Sequence, residues 1–113
     1  MNKSVSVAPM MDCTDKHELY FLSLISKNVK LYTEMIVSNA IIRGDREKLL
    51  SFKKINNHVT LQLGGSDPNE LAEACKIAED YGYQEINLNL GCPSKKVQKN
   101  KFGACLMLSL IHI

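Results

Sequence analysis

The stretch EINLNLGCPSKK, residues 85–96, contains a strand pattern and a loop pattern in immediate succession. Apolar residues alternate with asparagines as far as Leu90, and this period of two predicts a β-strand. The Gly-Cys-Pro triplet that follows predicts the end of the strand and the start of a loop. Because asparagine is a poor strand former, the presence of Asn87 and Asn89 on one face indicates that this face meets something polar.

Strand-like runs occur three more times upstream, and each is followed by a helix-like pattern. The predicted strands cover residues 4–10, 30–37, 58–65 and 84–90. Their centres recur about every 27 residues, which is the length of one β-loop-α-loop unit. Consecutive units with short connections force parallel pairing with right-handed crossovers, so they predict either an open doubly wound sheet or a closed (β/α)8 barrel.

The predicted helices have recognisable ends. Thr14 is the predicted N-cap of the first helix, and a second helical segment runs from about residue 39 to 50. The third helix has an N-cap, a proline at its first position, a glutamate able to complete a capping box and a terminating glycine, which are Asp67, Pro68, Glu70 and Gly82. Its apolar face, Leu71, Ala74, Cys75 and Ala78, is mostly small and would let this helix lie close to a sheet.

The choice between the two architectures depends on the first loop. A glycine-rich phosphate loop would favour the open sheet, but Pro9-Met10-Met11 stands where a GxGxxG motif would lie. The pattern therefore favours the barrel. An eight-stranded barrel takes about 250 residues, whereas this chain has 113 residues. The predicted fold class is α/β, as the N-terminal half of a (β/α)8 TIM barrel, truncated.

Composition excludes several classes of protein. The chain is 45% apolar and 23% charged, which is typical of a soluble globular domain. It contains no apolar run near the roughly 20 residues of a membrane-spanning helix and starts without a signal-peptide pattern, so the cytoplasm is expected. The net charge of +2 does not by itself indicate nucleic-acid binding. The four cysteines are far apart and form no CxxC motif, so neither a metal site nor a disulfide is expected.

Polar residues recur on one face of three successive strands, toward the C-terminal ends. On a strict period of two, the residues that share this face are Tyr32, Glu34 and Ile36 in the second strand, Thr60 and Gln62 in the third, and Asn87 and Asn89 in the fourth. Barrels build their sites at that end. Glu34, Gln62 and Asn89 are therefore expected either to converge on one ligand or to satisfy one another as a buried polar layer.

Five sequence blocks together resemble the tRNA-dihydrouridine synthases, and most closely their A-type bacterial branch. The blocks are VAPMMDCTDKH, YTEM, LQLGGSDP, INLNLGCPS and FGACLM. They occur in the order and at the spacings of that family. The resemblance extends from about Ser4 to Met107, which is nearly the whole chain.

The resemblance implies a flavoprotein that reduces the C5=C6 bond of a uridine in the tRNA D-loop, with FMN as cofactor and NADPH as electron donor. It implies that the turn of residues 9–11 lies along the flavin and that Gln62 contacts the isoalloxazine edge. It also implies that Asn89 contacts the target uridine and that Cys92 is the proton donor. The residue types suit these roles, because a carboxamide both donates and accepts and a thiol with a pKa near roughly 8.5 is largely protonated at neutral pH.

Four lysines follow Cys92 closely, namely Lys95, Lys96, Lys99 and Lys101. They would hold tRNA phosphates near the site, or they form an ordinary solvated loop. The target base would have to be extruded from the tRNA to reach the site.

The chain departs from the family after FGACLM. Residues 108–113, LSLIHI, match no family continuation and resemble a translated transposon-end sequencing adapter. The expected division is the first half of an FMN-binding barrel over residues 1–107 and a non-native tail over 108–113. Such a half-barrel is expected to leave strand edges unpaired, so activity belongs to the parent protein.

Two other functions remain as alternatives. One is another FMN barrel that acts on a pyrimidine, such as a dihydroorotate dehydrogenase, although the YTEM and LQLGGSDP blocks argue against it. The other is a non-catalytic half-barrel that binds RNA. The oligomeric state cannot be predicted from this sequence.

Overall fold

The structure is a computed structural model that describes residues 4–108. Its four strands are β1 (Ser6–Val7), β2 (Lys30–Val37), β3 (Val59–Gly64) and β4 (Glu85–Leu88). Its helices are α1 (Lys16–Ile25), α2 (Ser38–Arg43), α3 (Arg46–Leu50), α4 (Pro68–Asp80) and α5 (Lys95–Lys99), followed by a 3-10 helix over Gly103–Leu108. Apart from Leu108, the predicted tail lies outside the described residues.

The four strands form one parallel sheet in the order β1-β2-β3-β4. Each strand pairs with the strand before it in the chain, and helices occupy the connections. This arrangement confirms the predicted α/β half-barrel. As predicted, β1 and β4 are the edge strands of the sheet.

The main hydrophobic core lies between the sheet and helices α1 to α4. Ala74 and Ala78 of α4 are completely buried in this core, and Cys75 packs against it. Burial raises the pKa of the Cys75 thiol because the thiolate would lose its hydration. The predicted small-residue face of α4 is therefore the face that lies on the sheet.

Both ends of α4 follow the prediction. The Asp67 carboxylate accepts two backbone N–H groups of the first turn at 2.9 Å, and Pro68 occupies the first helical position. At the other end Gly82 has a φ of +90°. The N–H groups of Gly82 and Tyr83 donate to carbonyls of the last turn, which is the bond pattern of a Schellman motif.

Glu70 acts differently from the predicted capping box. Its carboxylate accepts from Arg43 Nη1 at 3.1 Å and from Asn39 Nδ2 at 3.4 Å. Both partners lie on α2, so Glu70 connects α4 to α2 across the helical layer.

Two helix predictions were wrong in detail. The N-cap of α1 is Asp15 and not Thr14, because the Asp15 carboxylate accepts the two N–H groups of the first turn at 2.9 Å. The segment predicted as one helix over residues 39–50 is two helices, α2 and α3, that are separated at Gly44. Asp45 causes the second start, since its side chain accepts the Lys48 N–H at 3.0 Å.

Strand β2 contains a bulge that overturns the predicted alternation. The register pairs around the bulge are Tyr32 with Thr60, Met35 with Gln62, and Ile36 with Leu63. One extra residue therefore lies in β2, and the two faces of the strand exchange beyond it. The prediction that Tyr32, Glu34 and Ile36 share a face is wrong, and Met35, not Glu34, is the register partner of Gln62.

The Thr33 hydroxyl accounts for the bulge. It donates to the Glu34 carbonyl at 2.8 Å and accepts the Gln62 N–H at 3.1 Å. A side-chain oxygen thus replaces a backbone acceptor in the ladder between β2 and β3, so the backbone can carry the extra residue without leaving a buried N–H unpaired.

Ionisable side chains cluster at the N-terminal ends of β2, β3 and β4. Lys30 Nζ lies 2.6 Å from Glu85 Oε1, and His58 Nε2 lies 3.0 Å from Glu85 Oε2. The hydrogen bond from Lys30 lowers the pKa of the Glu85 carboxyl below its usual 4.5. The same bond raises the pKa of Lys30 above its usual 10.5.

We expect Glu85→Gln to reduce the loss of folding stability that the full-length protein undergoes in acid. A carboxyl whose pKa is lower in the folded state stabilises the fold above its unfolded pKa and loses this effect as the pH falls through the folded value. The wild-type protein should therefore lose more free energy of unfolding than the variant on acidification below pH 4.5. Urea unfolding above and below this pH measures the difference, with the exposed Glu79→Gln as control. Equal pH dependence of the two proteins would contradict this expectation.

Candidate functional site

The predicted site residues lie at the C-terminal ends of the strands. Residues 9–11 follow β1, Gln62 lies in the second half of β3, and Asn89 and Cys92 follow β4. This is the edge of the sheet at which barrels place their sites. A separate cavity of about 730 Å³ lies at the opposite edge, around residues 54–59.

A cleft of about 900 Å³ opens at the C-terminal edge. Its walls include Met11 from the loop after β1, Met35 from β2, Cys92 from the loop after β4, and Phe102. Clefts that bind cofactors are mostly apolar, with few polar groups, and have volumes of roughly 300–1,000 Å³. The cleft therefore has the volume of a cofactor site, with a lining of mixed polarity. It brings Met11 and Cys92 together, whereas Pro9, Met10, Gln62 and Asn89 are not part of its lining.

Gln62, Asn87 and Asn89 form a row of hydrogen-bonded side chains, called here the carboxamide row. Asn89 Nδ2 donates to Gln62 Oε1 at 2.9 Å, and Gln62 Nε2 donates to Asn87 Oδ1 at 2.7 Å. Gln62 is only 8% exposed, so these bonds replace its contacts with water. Gln62 and Asn89 therefore bond each other, as the second of the two sequence-based expectations stated. The third member of the row is Asn87 and not Glu34, whose carboxylate accepts the Asp12 N–H instead.

Asn89 also shapes the loop that carries Cys92. Its Oδ1 accepts the N–H of Gly91 at 3.2 Å and the N–H of Cys92 at 2.9 Å. Its own backbone N–H donates to the Leu63 carbonyl at 2.8 Å and so extends the pairing with β3. An asparagine that bonds the backbone two and three residues ahead holds a turn in one conformation. The position of Cys92 is thus fixed relative to Gln62.

The Cys92 side chain lies at the edge of a second, smaller hydrophobic cluster. It is half-buried and packs against the cluster formed by Met35, Val97, Phe102 and Leu106. Its Sγ lies 3.6 Å from Ser94 Oγ and donates to it. The thiol is therefore held from one side by apolar groups and faces the cleft on the other.

Gly103 contacts the same loop from the opposite side. Its φ is +63°, and a Cβ at this position would lie 2.7 Å from the Cys92 carbonyl oxygen. The next residue, Ala104, donates its N–H to that same carbonyl at 3.1 Å. Only glycine fits here, because both the backbone angle and the close approach exclude a side chain.

The loop after β1 is braced by polar side chains. The Thr14 hydroxyl accepts the Met10 N–H at 2.9 Å and donates to the Met10 carbonyl at 3.1 Å. Glu34 Oε2 accepts the Asp12 N–H at 2.9 Å. Met10 and Met11 are 55% and 52% exposed, so the braced loop presents apolar surface at the C-terminal edge. Glu34 thus supports the loop of the candidate site.

Three residues of the site were not identified as functional from the sequence. Asn87 was placed on the polar face but had no role, because a period of two does not reveal which side chains bond one another. Thr14 was interpreted as a helix cap, and Gly103 is an isolated glycine without a turn motif around it. The Asx pattern of Asn89 ahead of Gly91 and Cys92 was a usable signal for the fixed loop.

The predicted lysine loop is partly a short helix, α5, capped by the Ser94 hydroxyl, which accepts the Val97 N–H at 3.3 Å. Its lysines and the one that follows are exposed, namely Lys95, Lys96, Lys99 and Lys101. Lys96 also lines the cleft. Positive charge therefore borders the candidate site.

Within residues 4–108, no three histidine, cysteine, aspartate or glutamate side chains gather closely enough to hold a metal ion. The helices of this part of the chain are also too short or too polar to span a bilayer. Each of the four cysteines is a free thiol.

Comparison with known proteins gives consistent matches. The family model described as dihydrouridine synthase matches residues 6–113. The chain is 57% identical over 103 residues to a tRNA-dihydrouridine(20/20a) synthase of Synechocystis, covering 91% of this chain and 31% of that protein. It is 57% identical over 102 residues to the Escherichia coli protein of the same name, covering 90% of this chain and 29% of that protein. It is 50% identical over 107 residues to the Pseudomonas aeruginosa protein of that name, covering 95% of this chain and 32% of that protein. The chain thus spans about a third of the length of these relatives.

Proposed function

This chain belongs to the dihydrouridine synthase family, and we propose on that premise that the protein that carries it reduces uridine to 5,6-dihydrouridine in the D-loop of tRNA. In this proposal FMN is the bound cofactor, NADPH is the electron donor and the cytoplasm is the compartment. The observation that carries the proposal is the bond between Asn89 of the carboxamide row and the backbone N–H of Cys92, which fixes the loop of this cysteine at the sheet edge where barrels hold their substrates.

The residues at this edge fit a flavin. A flavin presents a flat apolar ring and an edge of alternating donors and acceptors. Met10 and Met11 offer exposed apolar surface at the loop after β1. Beyond its two bonds in the row, Gln62 keeps one hydrogen on Nε2 and one lone pair on Oε1. In the proposal Pro9, Met10 and Met11 lie along FMN and Gln62 holds its edge, and bound FMN supplies the hydride for the reduction.

The proposed roles of Asn89 and Cys92 rest on the hydrogen-bonding capacity that the internal contacts of Asn89 leave unused and on the proton of the Cys92 thiol. Asn89 Oδ1 already accepts two loop N–H groups, but one hydrogen of Nδ2 is left to donate to a uracil carbonyl. Cys92 Sγ holds the proton that uridine C5 receives, and the half-buried position of the thiol allows its reprotonation from solvent. Cys92 is therefore the proposed proton donor and Asn89 the proposed substrate contact.

The test uses the full-length protein and tRNA that lacks dihydrouridine. Purified protein should be yellow with flavin absorbance, and with NADPH it should add two hydrogens to a D-loop uridine, detected by mass spectrometry of the digested tRNA. A flavoprotein that oxidises or reduces orotate compounds but not tRNA would favour the dihydroorotate dehydrogenase alternative. A colourless protein that binds tRNA would favour a non-catalytic RNA-binding role.

We expect the lysines around α5 to contribute to tRNA binding through phosphate contacts. Changing Lys95, Lys96 and Lys99 to glutamine should weaken binding and reduce the slope of log Kd against log salt concentration by about two, since each neutralised phosphate contributes roughly 0.7–0.9. Filter binding or fluorescence anisotropy across a salt series measures this slope. Lys76→Gln, on the distant half of α4, is the control. An unchanged slope in the triple variant would mean that these lysines form only a solvated surface.

A further inference from the structure

The carboxamide row has a direction that is set by the backbone. The N–H groups of Gly91 and Cys92 can only donate, so the Asn89 atom that they meet must be the oxygen. The other polar atom of Asn89 is then nitrogen, and it donates to Gln62 Oε1 at 2.9 Å. Gln62 consequently turns its nitrogen toward Asn87 Oδ1, 2.7 Å away. Two backbone donors in the loop therefore determine the orientation of all three side chains.

The opposite neighbour of Gln62 does not influence this choice. Across the sheet its register partner in β2 is Met35, whose thioether has no N–H or O–H group. The orientation of Gln62 is thus set from the β4 side alone. Because Gln62 is 8% exposed, water cannot readily compensate for a mismatched partner.

We propose that Asn89 is a positioning residue for Gln62: it fixes which end of the Gln62 carboxamide is the donor and which the acceptor, and Asn87 holds that orientation at the far end. The inference rests on the proposed function, in which Gln62 meets the FMN edge. A carboxamide rotated by half a turn has the same shape but exchanges its donor and its acceptor. A flavin edge that pairs with one orientation would face donor against donor in the other.

Two isosteric variants separate this effect from a change of charge. Asn87→Asp and Asn89→Asp each place one carboxylate in the row. In Asn87→Asp the carboxylate accepts from Gln62 Nε2 as the amide oxygen did, so Gln62 keeps its orientation. In Asn89→Asp the carboxylate still accepts the loop N–H groups but cannot donate to Gln62 Oε1. Gln62 and Asn87 must then both rotate by half a turn. Gln62 Nε2 then donates to the new carboxylate at position 89, and Asn87 Nδ2 donates to Gln62 Oε1.

The experiment measures FMN affinity and thermal unfolding of the apoprotein for the full-length wild type and both variants. We expect similar unfolding temperatures for the two variants, because both keep every bond of the row. We expect Asn89→Asp to weaken FMN binding about tenfold or more beyond Asn87→Asp, which is the effect of one mismatched buried hydrogen bond. Fluorescence quenching of FMN on titration gives the two dissociation constants.

Each other outcome counts against the inference. Equal losses of FMN affinity would show that charge and not orientation matters, and would overturn this inference alone. Loss of folding in Asn89→Asp but not in Asn87→Asp would show a structural role only. A wild-type protein that binds no FMN would overturn the proposed function and this inference together.

Discussion

Replacing Cys92 by alanine should slow uridine reduction by the full-length protein by about 10²–10⁴-fold, the usual contribution of a positioned acid. The variant lacks Sγ, the side-chain atom whose proton would be transferred to uridine C5. FMN binding should change little, because the loop is held by its backbone bonds to Asn89 Oδ1 and Ala104 rather than by the thiol. Single-turnover reduction of tRNA by protein whose flavin is already reduced measures the reduction of uridine separately from the reduction of the flavin by NADPH.

Two variants control this experiment. Cys92→Ser keeps the size of the side chain but replaces the thiol with a much weaker acid, so it should also be slow. Cys105→Ala removes another half-buried thiol of the same segment, one that lies 3.9 Å from the Gln98 carbonyl and is held there by a weak bond. This variant should reduce tRNA at the wild-type rate. Normal activity of Cys92→Ala would remove the acid role from this residue.

Replacing Gly103 by alanine should destabilise the full-length protein by about 2–5 kcal/mol, since two costs add at this position. The first is the left-handed backbone, with φ at +63°. The second is overlap, because the new Cβ would lie 2.5 Å from Val97 Cγ1 and 2.7 Å from the Cys92 carbonyl oxygen. Relief of this overlap moves the Cys92 loop, so the rate of uridine reduction should fall together with stability.

Two other glycines separate these costs. Gly82 also has a positive φ, of +90°, but a Cβ there meets nothing within 4 Å, so Gly82→Ala should cost only the backbone part, about 1–2 kcal/mol. At Gly91 a Cβ likewise meets nothing within 4 Å and the φ is not in the left-handed region, so Gly91→Ala should stay within about 0.5 kcal/mol. Denaturant unfolding of the three variants measures the series. Equal values for Gly103→Ala and Gly82→Ala would show that the overlap with the Cys92 loop costs nothing.

Much of the fold could be predicted because local signals agree with one another. The α4 helix has a capping aspartate, a proline at its first turn and a glycine at its end, and each acts in the structure as its type predicts. The parallel sheet followed from the repeat of strand and helix. The first cap was misplaced because Thr14 and Asp15 are adjacent and both can cap. Asp15 is the N-cap of α1, because the Thr14 hydroxyl is bonded to Met10 instead.

The site was predicted less completely, since its contacts depend on how neighbouring strands are aligned. A period of two places residues on faces only while the strand is regular, and the Thr33 hydroxyl interrupts β2 in the middle. The regular period therefore grouped Glu34 with Gln62 and Asn89, whereas its carboxylate bonds the Asp12 N–H in the loop after β1. The period correctly placed Gln62 and Asn89 on one face, but their direct bond depends on the register between β3 and β4, which no single strand encodes.

The order of the strands has a consequence for how this polypeptide assembles during translation. Each strand pairs with the one synthesised immediately before it, so every emerging segment meets a docking edge that already exists. Only the helical crossover between two consecutive strands, over residues 8–29, 38–58 or 65–84, must close at each stage, and the entropy lost in closure grows only slowly with its length. At ribosomal speeds of about 5–20 residues per second, there is ample time for one unit to settle before the next leaves the exit tunnel. The sheet can thus grow vectorially, from its first strand to its fourth.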